Sequence, residues 1–307
     1  MMIDKKIKKI IDEIEKIILG KREKIVLALT CLLANGHLLI EDLPGIGKTS
    51  LAKTLSLVMG LSFNRIQCTS DMLPGDVLGV SVFNQKTSEF IFHKGPVFTK
   101  VLLADEINRV TPKTQSALLE AMEEKQITIE GNTYSLEKPF FVIATQNPQD
   151  QSGTFPLPES QLDRFLFKID IGYPDRNAEK IILQNKYSSS HSIKEALTVL
   201  DSNSVLKLQN QVRNVVVKDP LIDYLQNIID YTRTSAYFKA GLSPRAGISI
   251  LQASRAWAKI HSRDYVIPDD VKNVLPWAAS HRLFLKKENR MIRKKEIKEM
   301  LNDIKIP

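Results

Sequence analysis

Between the apolar run Gly36-His-Leu-Leu-Ile-Glu41 and the helical segment Ser50 to Met59 stands Asp42-Leu-Pro-Gly-Ile-Gly-Lys-Thr49, and no other feature restricts the fold of this chain so strongly. Glycines at such a junction let backbone N–H groups close round phosphate oxygens at a helix N-terminus, the lysine adds a point charge, and the hydroxyl after it suits a Mg²⁺ that arrives with phosphate. The device needs a buried strand that runs straight into a helix, which is the architecture of a parallel sheet with crossover helices. Pro44, Gly45, Ile46, Gly47, Lys48, Thr49 and Ser50 are therefore candidate nucleotide-binding residues, with Thr49 also a candidate Mg²⁺ ligand. One departure from the usual pattern is visible: Asp42 stands where the first glycine is expected.

The rest of the first half supports such a sheet. His37 to Glu41, Arg65 to Cys68, Val101 to Ala104 and Phe140 to Thr145 are short, continuously apolar runs, the mark of strands covered on both faces, and Leu166 to Ile171 reads as a further strand. These runs alternate with helical periods, which predicts a three-layer α/β/α core. Lys5, Lys6, Lys8 and Lys9 interleave with Ile3, Ile7, Ile10 and Ile11 as in an amphipathic helix, and Ile25 to Ala34 reads as a buried helix, too short to cross a bilayer. Two hairpins are expected to project from the core. One spans 126–136 with its turn at Gly131-Asn132, and the other spans 80–93 around Gln85 to Ser88. Gly172-Tyr-Pro-Asp175 is a turn signal, beyond which the pattern is helical without further strand runs. The expected division is an α/β core over 1–174 and a smaller all-helical domain over 175–307.

A second constellation is Val101-Leu-Leu-Ala-Asp105-Glu106, which delivers two carboxylates at the carboxyl end of a buried strand, where ligands bind in open α/β sheets. Asp105 suits Mg²⁺, and Glu106 suits the polarisation of an attacking water. A third, Ala144-Thr-Gln-Asn147-Pro148, ends the next strand and brings the Asn147 amide beside the same water or the γ-phosphate.

Composition excludes other classes. Hydrophobic residues at 43% and charged residues at 25% are ordinary for a globular protein. Cys31 and Cys68 form no CxxC, and the five histidines show no metal-ligand spacing, so any metal is expected to arrive with a nucleotide. The net charge of +8 owes half to the segment from Lys286 to Pro307, where eight Lys/Arg face four Asp/Glu, the pattern of a solvated helical end rather than a nucleic-acid site.

Together these residues resemble the MoxR family of AAA+ ATPases. The resemblance runs through Gly36 to Glu41, Gly95-Pro-Val-Phe98, Leu103-Ala-Asp-Glu-Ile-Asn-Arg109, Gln115 to Glu124, Ala144 to Pro148, Gly153 to Glu159, Gln161-Leu-Asp-Arg-Phe165 and Gly241-Leu-Ser-Pro-Arg-Ala246, covering residues 15 to 285 in order. It implies an AAA+ core with a helical lid, ATP and Mg²⁺ as cofactors, and a homo-hexameric ring with ATP between subunits. It implies that Lys48 and Thr49 are Walker A residues, Asp105 and Glu106 Walker B, and Asn147 sensor 1. By the same likeness Arg164 is an arginine finger, Arg245 is sensor 2 in cis or in trans, and Ile18, Leu19 and Gly20 line the adenine pocket. A non-glycine at Asp42 is also within the family pattern.

The function expected from the resemblance is ATP hydrolysis by a cytoplasmic, chaperone-like remodelling or maturation factor. Its partner would be a client protein such as one with a von Willebrand factor A domain, with no membrane insertion. A nucleic-acid-stimulated motor, suggested by pI 9.3, and a metal-chelatase subunit are the alternatives. The hairpins would face a pore or a partner, or buttress neighbouring helices.

Overall fold

The structure, a computed structural model, describes residues 3–148, 153–184 and 196–306. The chain opens on α1 (Lys5–Glu15), where Asp4 caps the first turn by accepting from the N–H of Lys6 and Ile7, and Ile7, Ile10, Ile11 and Ile14 turn to the core. Helix α2 (Arg22–Leu33) is buried from Ile25 to Leu33, an apolar run interrupted at Thr30, whose hydroxyl donates to the carbonyl of Val26 at 2.7 Å. There follow β1 (Leu38–Glu41), α3 (Lys48–Val58), β2 (Phe63–Gln67), α4 (Pro74–Leu78), the hairpin β3 (Gly79–Asn84) and β4 (Glu89–Lys94), then β5 (Val101–Asp105). A 3₁₀ turn at Ile107–Arg109 leads to α5 (Pro112–Glu124), the hairpin β6 (Gln126–Ile129) and β7 (Asn132–Ser135), β8 (Phe141–Gln146), α6 (Glu159–Leu162) and β9 (Phe167–Ile169).

Five of these strands form one parallel sheet in the order β2-β5-β8-β1-β9. Alternate residues of a strand point to opposite faces, and both faces are covered. On β5, Val101 and Leu103 enter a core with the N-terminal helices and α3, while Leu102 and Ala104 enter a second core with α5. This double burial is why the strands read as continuous apolar runs.

The second half contains α7 (Arg176–Leu183), α8 (Ser202–Arg213), α9 (Asp219–Thr234), α10 (Pro244–Ile260), α11 (Pro268–Ala279) and α12 (Lys294–Met300). Helix α10 packs on α2, α8 and α11, and α11 packs on β9, so the first core runs on without interruption from the sheet into the helices. Within the basic run after Lys286, Arg290 pairs with Glu296 at 2.5 Å and Lys295 with Glu299 at 3.9 Å, as on an ion-paired helical end. Among the described residues no helix is long and apolar enough to cross a membrane.

Three details differ from the sequence reading. The β6–β7 turn falls on Glu130-Gly131, both at positive φ, and Asn132 already pairs with Ile129. A two-residue turn of this hand needs positive φ at both central positions, and Glu130 supplies one of them where Asn was expected. The helical half also holds a small antiparallel pair, β10 (Phe284–Leu285) with β11 (Arg290–Met291), too short for a strand pattern to register. The last strand of the main sheet is limited to Phe167–Ile169, where β1 offers a partner.

Both hairpins stand outside the main sheet as two-stranded ribbons. Phe92 of β4 stacks on Tyr134 of β7 with centroids 4.3 Å apart, so the ribbons support one another at their bases. At the far end of the first ribbon, Val82, Phe83 and Phe90 are about half exposed or more.

Candidate functional site

The carboxyl ends of β1, β5 and β8 lie side by side, and the loop after β1 turns over them. The Asp42-to-Thr49 loop holds Gly45 at φ +83° and Gly47 at φ +90°, and a Cβ built on either would meet nothing within 4 Å. Left-handed backbone explains the glycines, and the open space above them leaves a cradle of backbone N–H groups at the start of α3. Below the loop lies a cavity of about 370 Å³, lined by Pro44, Gly45, Gly47, Lys48, Thr49, Ser50, Asp105, Glu106 and Asn147, together with Arg65 and Gln67. Ile46 turns away and packs against the first hydrophobic core.

Lys48 is 8% exposed and donates from Nζ to the carbonyl of Asp42 at 2.7 Å. Burial pushes its ammonium below the ordinary lysine range, against the pull of Asp105, Asp42 and Glu106. An anion placed in the cradle would satisfy that desolvated charge.

Thr145, fully buried on β8, organises the two acids. Its hydroxyl donates to Asp105 Oδ1 at 2.6 Å and accepts from the N–H of Glu106 at 2.8 Å. Glu106 sits at φ +59°, a left-handed conformation that turns the chain out of β5 and directs its carboxylate into the cavity. There Arg109 Nε lies 2.9 Å from its Oε2, and Gln67 Nε2 donates to the same oxygen at 3.3 Å. The other oxygen of Asp105, Oδ2, accepts from Arg65 Nη2 at 2.7 Å and Nε at 3.2 Å. In this arrangement a guanidinium neutralises the carboxylate that a divalent cation would otherwise face. Among the described residues no group of three His, Cys, Asp or Glu side chains could hold a metal alone. The donor set of Thr49 and Asp105 fits a cation that brings phosphate oxygens with it.

Arg164 and Arg245 are elsewhere. Arg164 donates from Nη1 to the carbonyl of Leu119 at 2.6 Å and lies 3.1 Å from Glu123 Oε2, while Arg245 Nη2 pairs with Glu123 Oε1. Both line a separate cavity of about 260 Å³ with Gly36 and His37, which precede β1, whereas the phosphate loop follows it. Four residues of strand at ~3.3 Å each put about 13 Å between the two ends. The structure thus brings the two arginines to each other and not to the loop of their own chain. Arg282, only 5% exposed on its side chain, grips the segment that carries Arg164 through Asp163 at 2.6 Å.

Ile18 is buried in the first core, Leu19 is half-buried and Gly20 is exposed. Gly20, at φ +67°, lies so close to α7 that a Cβ would meet Asp175 Oδ2 at 2.7 Å. The segment packs on the start of α7 and takes no part in lining the phosphate-loop cavity.

Arg65, Gln67, Thr145, Glu123 and Arg282 also take part in these two clusters, and none of them is individually marked in the sequence. Arg65 and Gln67 left a faint signal, two polar residues at strand spacing in a run otherwise taken as buried.

Residues 37–167 match a family model described as the ATPase family associated with various cellular activities (AAA), and residues 230–304 match the AAA lid domain. The chain is 45% identical to the uncharacterized protein YeaC of Bacillus subtilis, over 97% of this chain and 94% of that one. It is 41% identical to the protein named Chaperone MoxR1 of Mycobacterium tuberculosis, over 89% of this chain and 74% of that one. The crystal structure of a candidate ATPase from Cytophaga hutchinsonii superposes with a TM-score of 0.89 at 38% identity, covering 98% of this chain and 94% of that one.

Proposed function

The chain belongs to the MoxR family of AAA+ ATPases, and from that premise we propose that it hydrolyses ATP to ADP and phosphate as a chaperone-like factor that remodels or matures partner proteins. The observation that carries this reading is the convergence of Lys48, Thr49, Asp105, Glu106 and Asn147 on one cavity beneath a glycine cradle. In it, backbone N–H groups from Gly45 to Thr49 hold the phosphates, with Pro44, Ile46 and Ser50 shaping the loop. Lys48 gives up the Asp42 carbonyl for the β- and γ-phosphate oxygens. Mg²⁺, held by Thr49 and Asp105, would neutralise phosphate charge.

Glu106 orients and polarises the attacking water, which requires that its carboxylate leave Arg109 and Gln67. Asn147 fixes the same water or the γ-phosphate, and Ile18, Leu19 and Gly20 flank the base. Arg164 and Arg245 act on the nucleotide of a neighbouring subunit, where guanidinium groups meet the charge that spreads over the transferred phosphoryl oxygens. Their shared position at the other end of β1 supports action in trans, and with it a homo-hexameric ring.

On this reading residues 1–174 form the nucleotide-binding core and 175–307 the lid. The apolar tip of the β3–β4 ribbon offers a surface to a client, and family likeness suggests a partner with a von Willebrand factor A domain. Two free, buried cysteines fit a reducing cytoplasm. Replacement of Glu106 by Gln tests the catalytic assignment: ATP binding is retained and turnover falls by ~100-fold or more. Unchanged turnover in Glu106→Gln sinks it.

A further inference from the structure

Asp42 occupies the loop position where glycine is usual, and its side chain does what no glycine can. Asp42 Oδ2 accepts the backbone N–H groups of Ile171 and Gly172, both at 2.7 Å, and Oδ1 accepts that of Leu43 at 2.9 Å. The N–H of Asp42 donates to the carbonyl of Gln146 at 3.1 Å, and its carbonyl accepts from Lys48 Nζ at 2.7 Å. One residue thus joins β1, the end of β8, the loop lysine and the turn after β9. It does not line the cavity, so its influence passes through the groups it holds.

The turn it holds is where the chain leaves the sheet for α7. Gly172 is at φ +71°, the carbonyl of Tyr173 accepts from Lys21 Nζ, and Asp175 caps α7 through the N–H groups of Asn177 and Ala178 while facing Gly20. The segment from Ile171 to Ala178 is therefore anchored at one end to the phosphate loop and at the other to the stretch before α2.

We propose that Asp42 is a positioning residue that ties the phosphate loop to the Ile171–Gly172 turn, so that a nucleotide held by the loop is registered in the segment 171–178. The inference rests on the ATP-binding reading above. Hydrogen bonds to a carboxylate are roughly twice as strong as neutral ones, and glycine at this position would leave the N–H groups of Ile171, Gly172 and Leu43 without their acceptor. When the ammonium of Lys48 turns from the Asp42 carbonyl to a phosphate, the same peptide that carries the tether loses a contact. Occupancy and tether meet at one residue.

Hydrogen–deuterium exchange on the full chain tests this with Asp42→Gly, which restores the glycine pattern, and Asp42→Asn, which keeps one acceptor oxygen. In the free proteins the amides of Ile171 and Gly172 are expected to exchange at least about tenfold faster in Asp42→Gly than in the unaltered chain, with Asp42→Asn between them. With Mg²⁺ and the β,γ-imido analogue of ATP, the unaltered chain is expected to slow its exchange over both 45–50 and 171–178. Asp42→Gly is expected to slow it over 45–50 only. A purely structural Asp42 would lower the melting temperature and leave the response at 171–178 intact. That result, or unaltered exchange at Ile171 and Gly172 in free Asp42→Gly, overturns the inference alone. Absence of slowing over 45–50 in the unaltered chain overturns the ATP reading and the coupling with it.

Discussion

Arg282 donates from Nε to Asp163 Oδ1 at 2.6 Å and from Nη2 to the carbonyls of Asp163 and Phe165, both at 2.8 Å. The guanidinium comes from just past α11 and is buried against the very segment whose exposed side presents Arg164. A buried cation with this many acceptors is costly to disturb, because removing it strands the groups that faced it. Arg282→Met is expected to lower stability by about 3 kcal/mol in urea unfolding at 25 °C. Asp163→Asn should cost less, since the carbonyl acceptors of Arg282 remain.

Thr145 gives a separate test of how the acids are held. Thr145→Val keeps the volume but removes the hydroxyl that bridges Asp105 and the N–H of Glu106. A buried N–H is left without its acceptor, a penalty of about 1–3 kcal/mol. Turnover is expected to fall about tenfold or more, with nucleotide affinity, read by equilibrium titration, changing far less.

The position of Arg164 predicts complementation between defective chains. Glu106→Gln and Arg164→Ala are each expected to be inactive alone. Mixed in equal amounts under assembling conditions, they should regain ATP hydrolysis, because an Arg164→Ala subunit can use the finger of a Glu106→Gln neighbour. Mixtures that stay inactive would show that the arginine serves its own chain.

His37 predicts an acid limit to stability. Its Nδ1 accepts the N–H of Val142 at 3.0 Å and its Nε2 faces the carbonyl of Met122 at 3.2 Å, so the ring is held neutral with its proton on Nε2. Burial, with the charge of Lys125, lowers it from 6.5 to about 4, and His281 is shifted in the same direction by burial and Arg282. Between those values the unfolded chain binds more protons than the folded one, so stability rises with pH through this window and is lost as pH falls from 6.5 toward 4. The loss from His37 is on the order of 3 kcal/mol. Denaturant unfolding across pH 4 to 7 measures it, and His37→Gln should flatten the slope.

What the amino-acid order discloses is what neighbours in the chain decide. The phosphate loop announces its strand and helix because glycine, lysine and threonine must stand at fixed offsets there, and β5 is legible because both its faces are buried. The β6–β7 turn lies one residue before the Gly131-Asn132 pair, since Glu130 adopts a positive φ that its type does not advertise. Nothing in its neighbours along the chain marks Arg282, and only folding brings it to Asp163, 119 residues earlier. Glu123 is equally mute in sequence, because its meaning lies in two arginines from distant segments.

Helix α5 links several of these sites. At its first turns Gln115, 1% exposed, donates to the carbonyls of Ile107 and Phe155, which fastens the helix to the turn that follows Glu106. At its last turn Glu123 holds Arg164 and Arg245, and immediately beyond it the chain enters β6. Thirteen residues at ~1.5 Å each make a strut about 20 Å long. Close-packed interiors compress little, so a strut of this kind does not absorb a small displacement along its axis but delivers it at the far end. On the proposed mechanism a shift at Arg109 as Glu106 is released would therefore reach the arginine pair and the root of the β6–β7 ribbon together, because the helix joins the side-chain contacts at its two ends as one rigid piece.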